Sequence, residues 1–569
     1  MASVNQCIDT NKCFIGSMVF VHFLFKKGED MAFKIPEFDF KGIKRIEIPK
    51  VDSDFSGNDY GLSIIKKYLP KILATHNRNS TKIEFLYNYF LGEQDILVKE
   101  RRYKTDQYNN NKIIENHANR QVEFKVGFLT GEQRDYTHKA DSDTDDLVYL
   151  DRYFTDCNFF AKDKTLKKWI YASGIGVTHT APRTDIIVFD GVDEITGNRK
   201  ARYMNSKEGF DINYNAPFRF SVLDPRDNFV VYSSNFEKEP LFCVSIVNVD
   251  ISTEKDDAPI LGKQMLIETR YASFVVRSDL KYQNFYWNNP EVSVTPKPLR
   301  YLPMIEYSVN EDRIGLVELN RNLYNSINTF RSAIADMTVD SANAILVFKN
   351  VDIESEEVQA MKKAGAIIIS DAQNSRQGAS ADLSTITMEI PFEGLNSYID
   401  QLLTNCYDIA GVPLASGQVT SGGDTGQARL LGGGWNNAYI IINNDITTLK
   451  GFDYEELKLI LFICKQVPNC PLDELFASQI DISYRVNQND NYLIKTQGMM
   501  NLYSINMPLE QILKSSKLFN DIKTVAKEWQ KRIDDLKAQR TETIKVQEST
   551  LPRVDNRVVG ANNGNNSQE

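Results

Sequence analysis

The 569-residue chain is poor in the side chains that most often do chemistry. Its five histidines, His22, His76, His117, His138 and His179, form no HxH or HExxH pair, so the ligand set of a zinc hydrolase is missing. Its seven cysteines, Cys7, Cys13, Cys157, Cys243, Cys406, Cys464 and Cys470, are odd in number and include no CxxC pair. That excludes a disulfide framework and a zinc ribbon, and it points to a reducing compartment. No GxxxxGK[ST] sequence occurs; the nearest stretch, Gly417 to Thr425, lacks the lysine that reaches a phosphate, so the chain is not a P-loop ATPase. No serine sits in a GxSxG elbow. Asp141, Asp143 and Asp145 have the alternate spacing of a calcium loop, but Asp146 replaces its glycine and Arg152 its bidentate glutamate. The most apolar run, Phe14 to Phe25, is shorter than the roughly 20 residues needed to span a bilayer. Positive charge is also scarce: 66 Lys and Arg stand against 76 Asp and Glu, a net charge of −10. A protein that holds nucleic acid by neutralising phosphates needs the opposite balance.

What is present is the material of a large multidomain fold, since the length exceeds one core and 42% of residues are hydrophobic. Ile65, Leu69 and Ile72, then Phe85 and Tyr89, recur at helical spacing and predict two helices over Leu62 to Leu91, broken at Asn77 to Ser80. Ile114, Ala118, Val122 and Val126 predict a helix from Lys112 to Phe128. Two more are expected from Leu147 to Phe160 and onward to Gly174. Residues 183 to 307 turn β-branched and aromatic, in runs such as Phe218 to Val222, Phe229 to Tyr232 and Phe242 to Val249, separated by turn residues.

From Glu311 to Met337 the period changes: Leu319, Leu323, Ile327, Phe330 and Ile334 step by three or four residues, as on one long amphipathic helix. A short α/β stretch follows, with strands at Ala344 to Phe348 and Ala366 to Ile369 around a helix from Glu354 to Ala364. A second helix, Glu393 to Ala410, stops at Gly411-Val412-Pro413. Eight glycines then fall between Gly411 and Gly434. Helices are expected at Tyr439 to Ile446 and Tyr454 to Val467, a strand at Ile480 to Val486, and helices near Leu493 to Tyr503, Leu509 to Leu513 and Ile522 to Leu536. The tail after Gln539 is polar and expected to be disordered. Lys26 to Asp30, before Met31, can be encoded by a stretch like a ribosome-binding site, so translation from Met31 is expected.

Several local patterns, in this order, resemble the portal proteins of long-tailed bacteriophages of Gram-positive hosts. They are Asn111 to Ala118 followed by Lys125 to Gly131; Asp224-Pro225-Arg226 with Phe229 to Tyr232 and Lys238 to Phe242; Leu302 to Tyr307 leading to Glu311; and Ile409 to Pro413 followed by Thr425 to Ala428. The resemblance spans most of residues 60 to 535. Two features depart from it: Gly432 to Gly434 would interrupt a tunnel helix, and Val177 to Arg202 reads as an added β insertion.

The resemblance implies an α+β, multidomain subunit of a ring oligomer. Its parts would be an N-terminal arm (1–59), a wing (60–310), a first stem helix (311–338), a clip (339–392), a second stem helix (393–412), a tunnel loop and wing return (413–469), a helical crown (470–536) and a tail (537–569). It implies no catalysis, no cofactor and no metal. The expected function is a channel at one capsid vertex through which viral double-stranded DNA passes. Expected partners are itself, in a ring of twelve, the terminase ATPase, capsid and scaffolding proteins, and a head-completion adaptor, with no membrane. The expected setting is the virion, and the host cytoplasm during assembly. Stem packing falls to Leu319, Leu323, Ile327, Phe330 and Ile334, and terminase or adaptor docking to Glu354, Glu356 and Glu357. Contact with DNA falls to Gln418, Thr420, Ser421, Asp424, Thr425, Gln427 and Arg429. The alternatives are another virion structural protein, such as a capsid or baseplate subunit, and a metal-dependent nuclease.

Overall fold

The computed structural model describes residues 41–49, 61–98, 110–139, 146–184, 187–192, 199–203, 206–207, 210–250, 261–277, 291–297, 300–342, 345–349, 356, 382–386, 391–414, 435–486, 492–516, 518 and 522–550. They divide into two units, one ending at Tyr484 and one beginning at Arg485. As expected from sequence, the fold is mixed α+β. The helices of the first unit are α1 (Leu62–Leu91), α2 (His117–Thr130), α3 (Asp146–Asp156), α4 (Phe159–Ser173), α5 (Leu316–Ala342), α6 (Phe392–Ala410) and α7 (Trp435–Cys464).

The β-rich run builds a six-stranded sheet. Strand Ile46–Ile48 lies parallel to Asn228–Ser233, and Pro240–Asp250, Leu261–Thr269, Ala272–Arg277 and Glu291–Pro296 follow in antiparallel order. Ile64, Ile65, Leu69 and Ile72 of α1 share one core with Phe229, Val231, Phe242, Val244, Met265, Ile267, Phe274 and Val276 of this sheet. Residues 46–48, expected in the arm, are therefore part of the sheet. A smaller sheet places Gly176–Pro182 between Met304–Tyr307 and Phe218–Leu223. The insertion expected from Val177 thus begins later, since Gly176–Pro182 is the middle strand of that sheet. The separate hairpin is Ile187–Val192 with Arg199–Tyr203.

Several expected boundaries move. α1 is one helix, because Asn79, in the supposed break, is buried and brackets the Lys44 backbone, accepting from its N–H at 3.2 Å and donating to its carbonyl at 2.7 Å. α2 starts at His117, five residues later than expected, with the Asn116 side chain capping the Asn119 N–H. α7 is continuous where two helices were expected. Residues Cys470 to Ile482, assigned from sequence to the crown, share a core with α3, α4 and α7, and Ile480–Ser483 pairs with Asp135–His138. Cys157, Cys243, Cys406, Cys464 and Cys470 are free thiols.

The second unit contains α8 (Tyr492–Ser504), α9 (Leu509–Ser516) and α10 (Ile522–Thr550). α10 runs eleven residues past Gln539, where a disordered tail was expected. Among the described residues, no helix is long and apolar enough to cross a membrane.

Candidate functional site

The part of the chain with the least conventional packing is the pair α5 and α6. Asn320 donates to the Cys406 carbonyl at 2.9 Å, and the Phe330 ring meets Tyr398 edge-on at 5.1 Å, so the two helices run antiparallel. Between them lie strands Ile345–Lys349 and Asp382–Ile386, paired antiparallel from Ile345 with Ile386. The expected order of long helix, small β-containing element and helix is therefore present.

Local chemistry fixes both ends of the pair. Before α5, Asn310 closes a loop by accepting from the Ile314 N–H at 2.8 Å and donating to its carbonyl at 2.9 Å. Inside that loop Arg313 adopts a left-handed backbone and pairs with Glu306 at 2.5 Å, both side chains buried. The helix therefore begins at Leu316, not Glu311. After α6, Gly411 takes the left-handed conformation; its N–H and that of Val412 return to the Asp408 and Tyr407 carbonyls at 3.0 Å, the terminal motif expected from Gly-Val-Pro.

The inward face of α5 is polar. Asn320, Tyr324, Asn328, Ser332 and Asp336 follow one another at four-residue spacing, and all five are fully buried. Asn320 and Tyr324 both donate to the Gln121 side-chain oxygen of α2, at 3.1 and 2.5 Å. Asn328, Ser332 and Asp336 hold an extended segment laid along the helix. The Glu115 N–H reaches Asn328 at 2.9 Å, the Ile113 N–H reaches Ser332 at 2.9 Å, and the Asn111 N–H reaches Asp336 at 2.7 Å. The match is metrical: two extended residues advance about 6.6 Å, and four helical residues about 6.0 Å. An extended segment can therefore satisfy alternate N–H groups from successive helix turns, replacing the strand partner it lacks.

Charged groups close the flanks of this seam. Arg321 pairs with Asp95 at 2.5 Å, Asn325 donates to the same carboxylate at 2.7 Å, and Tyr89 donates to Asn325 at 2.9 Å. Arg331 pairs with Glu115 at 2.7 Å; Glu115 also contacts His117 at 3.0 Å, and the His117 bond is the chief cause holding its carboxyl below the usual range. Both arginines of α5 are thus engaged within the subunit. α6 contains no lysine or arginine at all, and its exposed side carries Glu393, Asp400 and Asp408 among Asn396, Ser397, Gln401, Thr404 and Asn405.

Of the expected stem-packing residues, Ile327 is buried, Leu323, Phe330 and Ile334 are half-buried, and Leu319 is 52% exposed. Phe392, Tyr398 and Ile409 of α6 are exposed as well. Glu356 is helical and exposed, whereas Glu354 and Glu357 lie outside the described residues. So do Gln418, Thr420, Ser421, Asp424, Thr425, Gln427 and Arg429, the strand expected at Ala366 to Ile369, and the acidic loop Asp141 to Asp145. Apolar periodicity did not reveal the polar seam. The signal was nonetheless in the sequence, as hydrogen-bonding side chains at every fourth position from Asn320 to Asp336.

A dense set of buried charges lies elsewhere among the described residues. Arg134 pairs with Asp163 at 3.0 Å and Asp453 at 2.5 Å, Lys167 pairs with Asp163, and Glu456 accepts from Thr178 and Thr180. Burial pushes the Glu456 carboxyl up; burial also acts to raise Asp453, but Arg134 and Lys167 outweigh it and hold that carboxyl down. The cavity beside them measures about 10 Å³. No three metal-ligating side chains converge among the described residues.

A family model described as phage portal protein, SPP1 Gp6-like, matches residues 69–428, from α1 through the α5–α6 pair. No curated protein matches the chain.

Proposed function

This chain belongs to the phage portal protein family, and from that premise we propose that α5 and α6 form the stem of a ring whose channel lets double-stranded DNA slide in both directions. Membership makes the chain a structural component of the virion with a DNA-packaging role at the capsid vertex. It favours the portal role over the capsid and baseplate alternatives.

The observation that carries the sliding reading is the charge of the helix pair. Each firm contact between a cation and a phosphate tightens the hold on DNA through the counterions it releases, so a surface with few cations holds DNA loosely. With Arg321 largely buried on Asp95, the partly exposed Arg331 paired with Glu115 and no cation on α6, the exposed side of the pair offers DNA mainly neutral and acidic groups. The exposed Leu319, Phe392, Tyr398 and Ile409 supply apolar surface for neighbouring copies. Head-to-tail contacts close into a ring when their rotation divides the circle, and twelve copies is the number the family resemblance implies.

Around this stem the remaining parts take the roles the resemblance gives them. The sheets with α1 to α4 are the wing and residues 339–392 the clip, and the crown, expected over 470–536, starts at Arg485 once Cys470 to Ile482 join the first unit's core. Gln418, Thr420, Ser421, Asp424, Thr425, Gln427 and Arg429 form a collar that touches DNA through mostly neutral groups. The exposed Glu356, with Glu354 and Glu357, marks the clip surface for the terminase ATPase that drives packaging, and later for the head-completion adaptor. Capsid and scaffolding proteins contact the ring during assembly in the host cytoplasm.

The test is to place lysines at Asp400, Gln401 and Asp408 and measure packaging rate at several salt concentrations. Intact rings with slowed packaging, relieved by added salt, are the expected result. Unchanged packaging in intact rings would remove α6 from the channel.

A further inference from the structure

The sequences of α5 and α6 contain two cations, Arg321 and Arg331, both on α5, and the two are held differently. The Arg321 side chain is 12% exposed and pairs with an Asp95 that is 2% exposed, a buried bridge to the short turn after α1. Arg331 and its partner Glu115 are each 31% exposed. Arg331 also stands seven residues before the exposed Thr338, on the same side of α5, so this side of the helix reaches solvent.

The Glu115 carboxylate is aimed from several directions. Its own backbone N–H is held by Asn328 of α5 at 2.9 Å. Oε1 meets Arg331 Nε at 2.7 Å, and Oε2 meets His117 Nε2 at 3.0 Å. Because an ionised carboxylate only accepts, Nε2 carries the proton of that bond. His117 Nδ1 in turn lies 3.0 Å from the Tyr407 hydroxyl of α6. The carboxylate therefore has a fixed position between the extended segment, the start of α2 and both stem helices. A part-exposed ion pair of this kind adds little to stability. Its weight lies in charge, since it cancels one cation per copy, and a ring repeats that cation at one height around its axis.

We propose that Glu115 is a positioning residue that keeps Arg331 from gripping DNA, its carboxylate occupying the guanidinium edge that a backbone phosphate would otherwise take. The inference rests on the channel reading above and names the residue that keeps the more exposed stem arginine out of that channel's hold on DNA.

The experiment uses rings of the full-length chain, unsubstituted, with Glu115→Gln, with Arg331→Gln and with both, and measures their affinity for a short DNA duplex by fluorescence anisotropy across a salt series. Glu115→Gln keeps the backbone N–H and a side-chain carbonyl for His117 and removes the charge. It should bind the duplex about fivefold more tightly or better at low salt, and the slope of log affinity against log salt should steepen by about 0.9 for each phosphate gained. Adding Arg331→Gln should return both to the unsubstituted values, which a mere loss of packing at Glu115 would not do. Unchanged affinity and slope in intact Glu115→Gln rings would overturn the proposal, as would tighter binding that persists in the double variant. Loss of rings in Glu115→Gln would overturn it too, because the pair would then be a structural bridge. Rings with lysines at Asp400, Gln401 and Asp408 are measured alongside. Tighter binding by these rings with no effect of Glu115→Gln strikes only the role of Glu115, whereas no tightening in either set removes the channel reading with it.

Discussion

Removing the carboxylate of Glu306 should loosen the chain where it turns into α5. Glu306 and Arg313 are 4% and 5% exposed and 2.5 Å apart. The guanidinium cannot shed its charge to escape burial, so Glu306→Ala leaves a cation in a dry site, against the face of Tyr232 5.6 Å away. Breaking a buried pair in this way costs about 3–5 kcal/mol, and the Tyr232 contact, present with or without Glu306, offsets none of it. The low end, about 3 kcal/mol, corresponds to local opening roughly 100-fold more frequent. The reporter is the Ile43 amide, which donates to the Arg313 carbonyl at 3.2 Å, followed by hydrogen exchange. The double variant Glu306→Leu with Arg313→Met removes both charges and should recover most of the protection. If Glu306→Ala changes Ile43 exchange less than fivefold, or if the double variant is worse than the sum of the singles, the pair does not hold this junction.

Two further outcomes follow from the same region and its neighbour. Gly174 has φ +99°, and a Cβ there would lie 2.1 Å from the Arg313 carbonyl oxygen; Gly174→Ala should therefore lower Tm by an amount equivalent to at least about 2 kcal/mol, and a change below measurement error would refute the close approach. Burial acts to raise the Glu268 carboxyl, but His179 and Lys297 outweigh it and hold it down at about 2. Since the folded value is depressed, its contribution is complete above the usual carboxylate range and is lost as pH falls from about 4.5 toward 2. Lys297→Met should flatten the stability profile in that window, and an unchanged acid slope would show that the pair is not what titrates.

The family features legible in the chain are those set by local rules. A stripe at helical spacing gave α5, Gly-Val-Pro gave the stop of α6, and β-branched runs gave the strands that form the large sheet. The errors have one cause. Asn77 to Ser80 read as a break because polar runs end most helices, yet Asn79 is buried against the Lys44 backbone. Residues 112–116 read as helix, yet the Ile113 and Glu115 N–H groups are satisfied by side chains more than 200 positions away on α5. The apolar stripe gave no sign of the polar line from Asn320 to Asp336, whose five side chains are fully buried.

By itself, the sequence determined element types, their order, the overall acidity, the missing nucleotide and zinc-hydrolase motifs, and the absence of cations from α6, since each depends on residues near one another or on composition alone. Only the tertiary structure decided which polar residues are buried, that Ile46–Ile48 joins the large sheet in parallel, that Cys470 to Ile482 belong with the first unit's core, and that both α5 arginines are engaged. A polar side chain has no fixed preference for inside or outside: it is buried when a partner satisfies it and solvated when none does. Here those partners come from segments far apart in the chain, so local periodicity could not place them.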